Sequence, residues 1–245
     1  MHHDRPLAGT TRSGSVLLSA NDLPSPERFL RGALLAIFVV VTASAAARMW
    51  VDPADERLFV RQIFWMTWVD AEQNIPTMLS FALLCSATAL LIVRARLAWV
   101  ARDDWRLHWT ALFVLFSWIA FDEAAQMHER LVEPLRERFD PSGPFLLAWV
   151  MVALPAVVAI AVAFVPFLLA LPRLAAFGII ASGLLYVGGA LGMEMVAGAI
   201  IDAGSRAAAS YHYATMTEET LEMLGVALFV ATLLAILHRR PGFAA

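Results

Sequence analysis

Six stretches of this chain are apolar over enough residues to cross a lipid bilayer, which takes about 20 residues of helix. They run from about Phe29 to Ala47, Ile75 to Val93, Leu107 to Met127, Pro144 to Leu171, Leu174 to Ile201 and Thr217 to Leu237. Hydrocarbon offers no partner to an exposed backbone N–H or C=O, so segments of this kind must be helical. Composition points the same way: 60% of the 245 residues are hydrophobic and 16% charged, with a mean hydropathy of +0.68. Soluble domains carry about 25% charge, and a chain this short has no interior large enough to hide the excess of apolar side chains. The expected fold class is therefore all-α, a polytopic membrane bundle of six transmembrane helices.

Around these spans, residues 1–27 are polar and rich in Gly, Ser, Pro and Thr, and read as a disordered cytoplasmic tail. Residues 28–240 form the membrane domain and 241–245 a short C-terminal tail. Pro155 and Pro166 interrupt the fourth span, where a kink is expected. The apolar but short segment Leu58–Val69, with Trp65 and Trp68, reads as an interfacial helix at about 57–70 or as a packed helix covering the bundle.

Arginine placement sets the expected orientation, since all 18 basic residues are Arg. With the N-terminus in the cytoplasm, the inside segments hold eleven of them and the outside segments seven, so both termini are expected inside. A net charge of −3 excludes a polybasic nucleic-acid binder. The single cysteine, Cys85, excludes an intrachain disulfide and a thiolate metal cluster.

Acidic residues inside spans cost about 2.5–3.5 kcal/mol each on insertion scales, so their placement is informative. The third span ends in FDEAAQMHE, which supplies Asp122, Glu123, His128 and Glu129. The fifth carries Glu194, the sixth opens with Glu218, Glu219 and Glu222, and the second is entered past Asp70, Glu72 and Asn74. At about 1.5 Å per residue, Asp122 and Glu222 lie about 24 Å from the inner basic boundary, and Glu194 and Asn74 about 30 Å. Four spans thus bring polar groups to one level of the membrane, the outer one with both termini inside, and that agreement holds whichever way the protein is inserted.

Helical spacing places Asp122, Gln126, Glu129 and Glu133 on one stripe, and Glu218, Glu219 and Glu222 on one face. His128 points away from the Asp122 stripe if the helix is regular, and meets the acidic groups only if the helix unwinds there. Glu218 and Glu219 have a plainer reading at a helix start favoured by the macrodipole, with Thr217 as the cap. The glycines of the fifth span (Gly183, Gly188, Gly189, Gly192 and Gly198) are explained by close helix packing.

Carboxylates crowded in a low-dielectric site must share protons, pair with arginine, or bind a cation. Arg130 and Arg206, the nearest arginines in sequence, sit at the membrane edge. Several carboxylates and one imidazole suit Zn, Fe or Mn better than soft metals. The expected metal ligands are Glu72, Asp122, Glu123, His128, Glu194, Glu219 and Glu222, with Glu123 and Glu222 as candidate catalytic groups. The paired Glu-x-x-His of di-metal bundles, His-Glu-x-x-His, and Gly-x-Ser-x-Gly are all absent.

Three motifs stand out: Glu-x-Asn-x-Pro-Thr at Glu72–Thr77, Asp-Glu-x4-His-Glu at Asp122–Glu129, and Glu-Glu-x-x-Glu-Met at Glu218–Met223. Together they resemble a group of uncharacterised bacterial multi-pass membrane proteins. The resemblance spans roughly residues 70–225, implies a place in the bacterial cytoplasmic membrane, and implies no activity. Three functions are then open: a membrane-embedded, metal-dependent enzyme acting on a lipid-like or periplasmic substrate, a proton- or cation-coupled carrier, and a non-catalytic sensor or assembly subunit. The expected partners are the lipid bilayer and either a second copy or another membrane protein.

Overall fold

The computed structural model describes residues 23–52, 56–204 and 209–239. Most of the tail expected at residues 1–27, the tail at 241–245, and Arg206 lie outside the described residues. Among the described residues every regular element is a helix. In chain order these are α1 (Pro26–Trp50), α2 (Leu58–Thr67), α3 (Ile75–Val100), α4 (Arg106–Ala125), α5 (Met127–Phe139), α6 (Val150–Ala170), α7 (Arg173–Val187), α8 (Glu194–Asp202) and α9 (Ala209–His238). A 3₁₀ turn, Gly143–Phe145, precedes α6, and a π-helical turn, Gly188–Met193, joins α7 to α8.

Five helical runs are long and apolar enough to cross a membrane: α1, α3, α6, the continuous run Arg173–Asp202, and α9. The third expected span, α4, is not among them, because both its ends are polar: Arg106 and His108 at one, Asp122 and Glu123 at the other. It nevertheless lies against the core, with Trp109, Leu112 and Ala120 buried in the same cluster as residues of α3 and α9. Phe116 stacks on Phe229 of α9 with ring centroids 4.3 Å apart.

The helix starts follow local chemistry. Pro26 opens α1, and the Ser25 side chain accepts the Arg28 N–H at 3.4 Å. Asn74 does more at α3: its Oδ1 accepts the Thr77 N–H at 3.2 Å, and its Nδ2 donates to the Trp68 carbonyl at 2.6 Å and the Trp65 carbonyl at 3.1 Å. One buried amide therefore caps α3 and closes the end of α2. The short helix α2 is anchored by Phe64 and Trp68, stacked at 5.4 Å and buried, while Trp65 stays exposed.

Helix α9 is the axis of the bundle. Within their most apolar windows, 61% of α9 is buried against 6% of α6, which faces outward. Close approach of α7 to α9 depends on glycine. A Cβ on Gly225 would stand 2.7 Å from the Tyr186 backbone nitrogen, and Gly178 lies equally tight against the Thr232 side chain. Of the fifth-span glycines, Gly189 and Gly198 have such neighbours, whereas Gly183, Gly188 and Gly192 have nothing within 4 Å.

Three boundaries depart from the sequence reading. Helix α9 begins at Ala209 rather than Thr217, because residues 209–216 hold no Gly or Pro to stop it. Thr217 is therefore no cap: its hydroxyl donates to the Tyr213 carbonyl at 2.7 Å within the helix, and Glu218 and Glu219 are two turns inside it. Helix α6 starts at Val150, after the 3₁₀ turn, and runs through Pro155 and Pro166 without a break. The third span does break, at its acidic end.

Candidate functional site

That break is made by Gln126, whose backbone is left-handed at φ 54° and ψ 44°. It ends α4 at Ala125 and restarts the chain as α5 in a new direction, so the stripe Asp122–Gln126–Glu129–Glu133 does not exist as one helix face. The turn also brings His128 back onto Asp122. The Asp122 carboxylate accepts the His128 backbone N–H at 3.0 Å through Oδ1 and the ring Nδ1 hydrogen at 2.7 Å through Oδ2. Both side chains are about one-quarter exposed, and Nε2 is left as the ring's second nitrogen. Burial alone would lower the imidazole's proton affinity, but the hydrogen bond and charge of Asp122 outweigh it, and His128 is held above its ordinary range.

The other acidic groups gather round this pair. Glu123 is within electrostatic reach of Glu72, His128 and Asp122. Glu222, half-buried on α9, is within reach of Glu218, Glu123, Glu194 and Asp122, and Glu219 reaches Glu222, Glu123 and Glu72. Glu194 feels His128 and Glu129, and its Oε2 is buried with no hydrogen-bond partner among the described residues. Glu72, in the α2–α3 connection, is raised above the ordinary carboxylate range, chiefly by partial loss of water. A hydrogen bond from Gln126 opposes that rise, and the charge of Glu129 adds to it. All seven residues expected as ligands therefore converge on one region, yet no three His, Cys, Asp or Glu side chains among the described residues stand in a metal-holding arrangement. Among the described residues, Asp122 and His128 pair with each other, and none of the other five makes a salt bridge there.

Two features of this site carry little signal in the sequence. The π-helical turn Gly188–Met193 ends at Glu194 and adds a residue to the local helical repeat, which sets the face on which Glu194 emerges. Gly189 makes that turn fit: a Cβ there would stand 2.8 Å from the Glu218 carbonyl and 2.9 Å from Glu222 Cγ. The second feature is aromatic. Tyr186 lies within reach of Glu222, Glu123, Asp122 and Glu219. Trp149 places its ring 5.0 Å from that of His128, with its indole N–H at the edge of Glu194. A tyrosine deep in an otherwise apolar span was the available clue.

Neighbouring polar residues have other work. His212 receives a hydrogen bond from Arg48 at 2.7 Å and packs on Trp68 at 5.3 Å, which ties α9 to α1 and α2. The Tyr211 hydroxyl reaches Asp70 at 3.4 Å. Glu133 pairs with Arg136 at 3.5 Å on the exposed helix α5. His108 stacks on Phe167 at 5.3 Å at the far end of α4.

The fold and this site define a class: an all-helical protein with several membrane-crossing helices and a carboxylate-rich, histidine-bearing cluster near one end of the bundle. Residues 33–237 match a domain of unknown function, DUF8692, and the chain belongs to that family. No curated protein and no solved structure matches it.

Proposed function

We propose that this chain is a six-span protein of the bacterial cytoplasmic membrane, with both termini inside, and that its acidic cluster is the cation site of a metal-dependent membrane enzyme. The observation that carries the reading is the Asp122–His128 pair. A carboxylate that fixes Nδ1 of an imidazole orients Nε2 toward a metal and raises its basicity, as outer-shell carboxylates do in metal sites. Glu123, Glu194 and Glu222 supply hard oxygen donors within reach of it. A cation bound there would offset the repulsion among these buried carboxylates. Bound there, a Zn, Fe or Mn ion would polarise a substrate oxygen or acidify a water, with Glu123 and Glu222 as general bases. The outward-facing level of the cluster suits a lipid-like or periplasmic substrate.

Elemental analysis of the detergent-purified chain tests this, with wild type beside His128→Ala and Glu222→Ala. The expected result is about one metal per chain in the wild type, lost in both variants while their helical circular dichroism is kept. A folded, homogeneous wild type without metal would overturn it. The buried, unpartnered Glu194 Oε2 would then favour a proton-coupled carrier, with Glu194→Gln abolishing proton-driven uptake.

A further inference from the structure

A second site lies at the other end of the bundle. Between α3, α4, α7 and α9 is a cavity of about 410 Å³. Arg94 and Arg239 line it, with Trp109, Leu171, Leu174 and Ile236 among its apolar walls, and among the described residues no carboxylate lines it. Arg94 is the unusual residue: its side chain is only 5% exposed, deep in an apolar core. Its guanidinium is oriented by Asp103, at 2.9 Å through Nη2, and by the face of Trp109, at 4.1 Å from the ring centroid. A charge withdrawn from water this far marks a binding site in a membrane bundle more often than a packing residue. Arg239, exposed at the end of α9, adds a second positive charge at the mouth.

The opening identifies the occupant. Leu174 on the rim is 69% exposed, on helices that face hydrocarbon, so the cavity is entered from the bilayer as well as from water. A ligand that meets Arg239, the Arg94 guanidinium already paired with Asp103, and the apolar walls has an anionic head and a hydrocarbon tail. Basic pockets between membrane helices on the cytoplasmic side take anionic lipid headgroups for this reason. We propose that this cavity binds one anionic phospholipid of the surrounding leaflet, its phosphate between Arg94 and Arg239 and an acyl chain along Leu171, Leu174 and Ile236. The site is separate from the acidic cluster and stands whether or not that cluster binds metal.

Native mass spectrometry on the detergent-purified full chain tests it, with dioleoyl phosphatidylglycerol, dioleoyl phosphatidylcholine, oleate and inorganic phosphate as separate probes. Phosphatidylglycerol is expected to bind one per chain and to be preferred over the zwitterionic lipid by about fivefold or more. Arg239→Ala, on an exposed residue, should weaken phosphatidylglycerol by about fivefold. Ala235→Phe, which fills the cavity and leaves both charges, should remove the one-to-one complex. Equal binding of the two phospholipids, or phosphatidylglycerol binding untouched by both variants, would overturn the site. Oleate or inorganic phosphate binding as tightly as phosphatidylglycerol would overturn the phospholipid as its occupant.

Discussion

At the α4–α5 break, one carboxylate holds two hydrogens of one residue, the backbone N–H and the ring Nδ1–H of His128. The bond to the ring favours the imidazolium, so it acts on stability in a definite direction. A folded-state proton affinity raised above the ordinary 6.5 of histidine gives stabilisation that is complete at pH below that ordinary value. It is lost as pH rises through the higher folded value. In metal-free protein, Asp122→Asn should therefore destabilise most at acidic pH, by about 1–2 kcal/mol for a partly exposed charged hydrogen bond. The difference should shrink toward alkaline pH. Thermal unfolding in detergent from pH 5 to 9 checks it, and a penalty that grows with pH would contradict the pairing. The sequence carried the level of Asp122, since deep carboxylates stand out against apolar spans. The approach of His128 was not legible, because the left-handed residue that produces it is Gln126, neither Gly nor Asn, and nothing in the local pattern marks it.

Helix α9 and the α7–α8 run meet through glycines, and the space around each differs sharply. Gly189 faces the Glu218 carbonyl and Glu222 Cγ, both of which would clash with a Cβ, whereas Gly188 and Gly192 on the same π-helical turn face open space. Gly189→Ala should thus push the turn off α9, with a loss of about 1–3 kcal/mol, and should disturb Glu194 and Glu222 together. Gly188→Ala and Gly192→Ala should keep stability or raise it by about 0.5–1 kcal/mol through better helix propensity. Midpoints of thermal unfolding for the three variants decide it. If all three behave alike, the close approach at Gly189 is not what seats the turn. At this scale the apolar runs gave away the five helical runs long and apolar enough to cross a membrane, because hydropathy is a property of composition over a window. Helix ends set by backbone geometry were hidden: α9 begins eight residues before its apolar segment, and the glycines of the π turn at Gly188–Met193 read equally as close helix packing.

Across the whole molecule, the two polar sites sit at opposite ends of the same helices. Arg94 and Asp122 lie toward opposite ends of the α3–α4 hairpin, and Glu222 and Arg239 are separated along α9. The outer position of the acidic cluster depends on α4 crossing the membrane, since otherwise the α3–α4 turn and the α5–α6 connection would lie on one side. Helix α4 has the length to cross, 20 residues or about 30 Å, and it is packed on α3 and α9 through Trp109, Leu112 and Phe116. Its polar ends are what a span delivering Asp122 and Glu123 to one surface requires. In a Cys85→Ser background, single cysteines at Asp104→Cys and Ser142→Cys, both exposed positions, report the two connections. With an impermeant maleimide on intact cells, Ser142→Cys should be labelled and Asp104→Cys only after the membrane is opened. Labelling of both from the same side would remove α4 as a span. The reverse pattern would keep six spans, turn both termini outward, and place the acidic cluster at the cytoplasmic surface, where a periplasmic substrate could not reach it.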